Sequence, residues 1–134
     1  MSEYAAAVGL AALAQWPQTR DRWINVAARY WAALDESGRF HSPAKNEVTA
    51  SLVVDLGVPH GPIARAMQRE GIDTRNWYGL GCHREPAFAQ CTTGALPATD
   101  KIATTTLGLP FFLGITESEI AEVAEVLAAS VGIR

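Results

Sequence analysis

The opening stretch MSEYAAAVGLAALA narrows the possible structures of this chain more than any other. Ala5, Ala6, Ala7, Ala11, Ala12 and Ala14 surround Val8, Leu10 and Leu13, so a helix capped by Ser2 is apolar on every side. Such a helix needs cover all round, and a bare patch of this kind drives association. The expectation is a homo-oligomer, a dimer or larger, joined through the helix from Ala5 to Leu13. So abrupt an apolar start also leads us to expect further polypeptide upstream.

The rest of the composition agrees with a folded, buried chain. Hydrophobic residues make up 49% of the 134 against 19% charged, enough for one core but too little chain for two domains. We read 1–134 as a single domain, with a helical segment over 1–36 and an α/β part over 39–134. Net charge is −3 and no Lys/Arg stripe interleaves with the aromatics, which sets nucleic acid aside. The apolar run is too short to span a bilayer, and Glu3 stands where a signal peptide carries positive charge. The expected location is the cytoplasm, with no membrane partner. Cys82 and Cys91 are too far apart for a CxxC pair and too few for a thiolate zinc site, so they read as two reduced thiols.

Taken in order, Pro17 suits the first turn of a second helix carrying Trp23, Val26, Ala27, Tyr30, Trp31 and Leu34 to about Glu36, with Gly38 closing it. Residues 39–47 are polar and read as a loop. Residues 49–56, TASLVVDL, have the β-branched content of a largely buried strand. Prolines start and Gly71 ends an amphipathic helix over 59–70 that turns Ile63, Ala66 and Met67 inward. A short return strand over 72–75 completes a strand, helix, strand unit. The expected fold is α/β (α+β), a small sheet of about three strands packed with helices and preceded by the long apolar helix. Further on, residues 96–100 open a helix with its body over 102–107, stopped by Gly108 and Pro110. Thr116 and Glu119 form a capping box for a last helix to about Ser130. Ile120, Val123, Ala124 and Leu127 face inward there, and Glu117, Glu119, Glu122 and Glu125 lie on the wet face.

Between these elements lies a glycine-punctuated aromatic loop, residues 71–88, GIDTRNWYGLGCHREPAF. Loops held by a rigid scaffold are where binding groups usually sit. Trp77 and Tyr78 can wall a flat ligand or plug the core. Arg75 and Arg84 can clamp a phosphate or carboxylate, or stand solvated. Cys82 and His83 are adjacent, so in an extended segment they point apart and do not pair as nucleophile and base. Neither His41 nor His60 completes a metal-ligand spacing with His83. The glycines at 79 and 81, and at 57 and 61, lack the GxGxxG or GxxxxGK patterns and serve turns rather than phosphates.

An ordered set of segments across nearly the whole chain resembles the C-terminal part of the DegT/DnrJ/StrS family of pyridoxal-phosphate-dependent sugar aminotransferases. The segments are MSEYAAAVGL, RDRWINVAARYWAAL, REGIDTRNWY, HREPAF, LPATDKIATTTLGLPFF and ITESEIAEVAEVL. The resemblance implies the small domain of a fold type I aminotransferase. Tyr78 and His83 match the aromatic and histidine positions of the loop that closes over the nucleotide-sugar side of the site, with Trp77 and Arg84 beside them. It further implies that the cofactor lysine, the acid at the pyridine nitrogen and most of the phosphate cup belong to a large domain. Pyridoxal 5'-phosphate then serves the full-length family and is not bound by this chain alone.

The chemistry agrees, because transamination needs an imine-forming lysine, a carboxylate on the ring nitrogen and a pre-formed anion site. Lys45, in a polar loop, and Lys101, in the first turn of an amphipathic helix, lack those surroundings. The expected role is the C-terminal domain of a nucleotide-sugar aminotransferase, truncated or split, silent by itself and partnered by a large domain or separate subunit. The alternatives are a small-ligand-binding module built on Trp77, Tyr78, His83 and Arg84, or a regulatory partner that pairs with an intact aminotransferase.

Overall fold

The chain runs α1 (Glu3–Asp35), β1 (Leu52–Asp55), α2 (His60–Arg69), α3 (Pro97–Thr105), β2 (Thr106–Leu109) and α4 (Glu117–Val131). A computed structural model describes residues 2–35, 40, 48–77 and 79–132. β1 and β2 pair antiparallel, Leu52 opposite Leu109 and Asp55 opposite Thr106. Leu52 and Val54 face the core while Val53 and Asp55 are half-covered, a period-2 alternation rather than a strand buried on both faces. All four residues of β2 are buried.

α1 is one helix where two were expected, continuous through Pro17. Proline in a helix interior costs about 3 kcal/mol, which the alanine-rich flanks, the best helix formers, help to offset. Ser2 Oγ accepts from the Ala5 amide at 3.2 Å, as an N-cap should. Only the final third of α1 enters the core, through Val26, Tyr30, Trp31 and Leu34. Cover on every side is not found within the described residues, since none of residues 2–22 is buried and Tyr4 and Leu10 are 81% and 69% exposed. Among the described residues no helix is long and apolar enough to cross a membrane.

Gly38 and residues 41–47, with His41 and Lys45, lie outside the described residues. Phe40, read as part of a polar loop, is a core residue. α2 buries Ile63 and Met67 and ends in a Schellman arrangement: Ile72 N donates to Met67 O, Gly71 N donates to Gln68 O, and Gly71 takes the left-handed φ of +77° that favours glycine. That cap occupies the Ile72 amide, so the strand expected over 72–75 contracts to a single antiparallel bridge between Arg75 and Gly108. Among the described residues the sheet has two strands rather than about three. Gly108 gives both its amide and its carbonyl to Arg75 while standing opposite Val53 of β1, so β2 lies between the two.

The helix expected to continue to Leu107 stops at Thr105, and Thr106 begins β2. Thr105 and Thr106 turn their hydroxyls back onto Lys101 O and Ile102 O, and Leu107 pairs with Val54 across the sheet. Tertiary pairing with β1 overrides the local helical pattern. The capping box forms as read: Glu119 N donates to Thr116 Oγ1 at 3.2 Å, and Thr116 N donates to Glu119 Oε2 at 2.7 Å. Those bonds from Thr116 hold the Glu119 carboxyl below its ordinary range. Ile120, Val123, Ala124 and Leu127 are buried, and α4 packs on α1 and α2.

α1 is fastened to the segment after β2. The fully buried Tyr30 donates its hydroxyl to Pro110 O, and Phe111 lies 5.0 Å from the Trp23 ring centre. Arg29 donates to Ile115 O at 2.9 Å and pairs with Glu117. Burial pushes the Tyr30 phenol well above its usual range. A group raised in the folded state gives stability that is full below its unfolded value and is lost as pH rises toward the folded one. We predict that Tyr30→Phe costs about 1–2 kcal/mol in urea at neutral pH through the lost hydrogen bond. It should also remove part of the loss of stability that the parent shows above about pH 10. An unchanged alkaline limb in the variant would contradict the assignment.

Candidate functional site

The loop over 71–88 leaves the core at β2. Arg75 N donates to Gly108 O at 2.9 Å and Gly108 N donates to Arg75 O at 2.7 Å, a closed pair of bonds that fixes where the loop begins. Trp77 then folds over Gly108 so closely that a Cβ there would stand 2.4 Å from Trp77 Nε1. The Arg75 guanidinium sits 4.8 Å from the centre of the Trp77 ring, within cation–π range. Trp77 is half-exposed, so it walls a surface groove instead of plugging the core. That groove, about 480 Å³, is lined by Ser51, Asp73, Arg75, Trp77, Pro110 and Phe111 among others.

The far end of the loop is held by α3. Residues 82–84 and 86–88 form two short 3₁₀ turns, which carry His83 and Arg84 to Asp100 in the first turn of α3. Asp100 Oδ1 lies 3.0 Å from His83 Nε2 and accepts from Arg84 Nε at 2.9 Å. The Arg84 hydrogen bond above all, with that of His83 beside it, keeps the Asp100 carboxyl below its usual range, and Asp100 in turn raises the Arg84 guanidinium. His83 and Arg84 are therefore brought together, with Trp77 at a separate anchor on the same α3 to β2 segment. Tyr78 lies outside the described residues. Asp100 was legible only as an acid favoured near a helix start; its pairing with residues 16 and 17 positions earlier has no local signature.

The chain belongs to the DegT/DnrJ/EryC1/StrS aminotransferase family, whose model matches residues 1–128. A PLP-dependent aminotransferase from Bacillus cereus ATCC 10987 superposes with a TM-score of 0.88 at 21% identity, over 96% of this chain and 37% of its own. DesI, solved in the presence of its TDP-sugar product, superposes at 0.82 with 26% identity, over 99% of this chain and 37% of its own. A sugar aminotransferase of Streptococcus pneumoniae in its PMP form gives 0.86 at 17% identity, over 98% and 35%. The chain thus spans little more than a third of the length of these proteins. No curated protein matches it.

Lys101 is exposed on α3, and a second and third groove, beside Glu119 and beside Arg22, are lined like the first without a lysine. Lys45 lies outside the described residues. What this surface offers is donors, aromatic faces and carboxylates, suited to holding a polar ligand.

The Trp77 contact makes a prediction. Gly108→Ala should cost about 1–3 kcal/mol through overpacking, and combining it with Trp77→Ala should relieve part of that loss in urea unfolding. An equal cost with and without the indole would show that Trp77 does not lie on Gly108.

Proposed function

We propose that this chain acts as the small domain of a PLP-dependent nucleotide-sugar aminotransferase. In that reading the loop of Trp77, Tyr78, His83 and Arg84 covers the substrate, and the imine-forming lysine comes from residues outside these 134. The family match over residues 1–128 carries the reading. DesI, with its TDP-sugar product, supports a nucleotide sugar as the substrate class. The exposed Tyr4, Val8, Leu10, Leu13 and Trp16 of α1 support a partner surface, which the rest of the enzyme or a second subunit covers. Within such an enzyme the chain's own groups act by binding and orientation. Arg84 supplies guanidinium donors suited to an anionic diphosphate, Trp77 an apolar wall, and the loop excludes water from the sugar.

By itself the chain is expected to be catalytically silent. Incubation with pyridoxal phosphate followed by borohydride should leave no pyridoxyl group on Lys45 or Lys101 by peptide mass spectrometry. A stoichiometric adduct at either lysine would overturn the reading.

A further inference from the structure

His83 and Arg84 stand on a loop with little regular structure, yet one carboxylate oxygen receives both. Asp100 Oδ1 lies 3.0 Å from His83 Nε2 and 2.9 Å from Arg84 Nε. The imidazole is mostly covered, its side chain 14% exposed. Its opposite edge lies against the backbone of Gly81, where a Cβ would stand 2.9 Å from both Nδ1 and Cε1. Gly81 also has a φ of +88°, so the close approach and the turn ask for the same residue. Asp100 is itself rigidly placed, its amide bonded to Leu96 O in the first turn of a helix that Pro97 begins. The helix dipole favours a negative charge there.

An ionised carboxylate only accepts hydrogen bonds, so the proton of a neutral His83 ring must sit on Nε2. That leaves Nδ1 with a lone pair. Arg84 gives Asp100 its single Nε proton, and the four Nη protons of the fork remain as donors.

We propose that Asp100 is the positioning residue of this loop: it locks His83 in the Nε2-protonated tautomer and orients the Arg84 fork toward an anion. Building on the functional reading above, the loop then offers an anionic sugar nucleotide the exposed donors of Arg84, with the His83 ring packed behind them against Gly81. Asp100 touches no substrate in this scheme. It acts through its two partners.

The test is made on the 134-residue chain without ligand, so it stands apart from the question of cofactor or substrate. Long-range 1H–15N spectra of the 15N-histidine-labelled protein at pH 8, with the His83 signals assigned from His83→Gln, report the tautomer directly. The expected result is His83 predominantly in the Nε2–H form. Asp100→Ala should return it to a mixture of tautomers, while Asp100→Asn, which keeps an acceptor oxygen, should preserve the Nε2–H form. A predominantly Nδ1–H ring in the parent overturns the proposal without any variant, as does an Asp100→Ala protein whose His83 tautomer is unchanged. Should Asp100→Ala not fold, the parent decides alone: the Nε2–H share of His83 should exceed that of free histidine at the same pH, and an equal share overturns the proposal.

Discussion

Two hydrogen bonds between Arg75 and Gly108 set the geometry on which the rest depends. They place the start of the loop on β2, the strand that also pairs with β1 and leads directly to the carbonyl of Pro110. Tyr30 donates to that carbonyl, which ties α1 to the same short segment. A buried strand must satisfy its backbone groups; β2 pairs with β1 along its four residues and with Arg75 at Gly108 alone. The requirement that Gly108 stay glycine follows, because the indole of Trp77 occupies the space a side chain would need.

The loop is held at two points of one continuous piece of chain. α3 grips His83 and Arg84 through Asp100, and β2, which follows α3 without a break, grips Arg75 and Trp77. A loop held this way is pre-organised, so under the proposed function less conformational freedom would be lost when a ligand arrives. That arrangement suits a domain whose contribution is orientation. Under the proposed function, binding groups on this chain would work beside a lysine supplied from elsewhere in the enzyme, and Lys101, exposed on α3, is the one lysine among the described residues.

Features written in local chemistry could be read from the sequence. Thr116 and Glu119 stand three apart before an apolar run, and they form the capping box with the four inward residues as expected. Gly71 ends α2 because the left-handed cap asks for glycine. The family, too, was legible, in the order of its segments. Features that depend on distant partners were not. Residues 102–107 suit a helix locally, and only β1, about fifty positions away, makes Thr106 and Leu107 a strand. Phe40 sits in a polar stretch and reveals its burial only once the core is assembled. Of the candidate loop, Trp77, His83 and Arg84 stood out as residue types, while the Gly108 seat and the Asp100 clamp that place them required the folded chain.

Amide hydrogen exchange by NMR at single-residue resolution tests the central claim most directly. If β2 anchors the loop, the amides of Arg75 and Gly108 should exchange about as slowly as that of Leu56, which donates to Thr105 O at 2.9 Å beside the β1–β2 ladder. Exchange of Arg75 and Gly108 at free-peptide rates, with Leu56 still protected, would contradict the account.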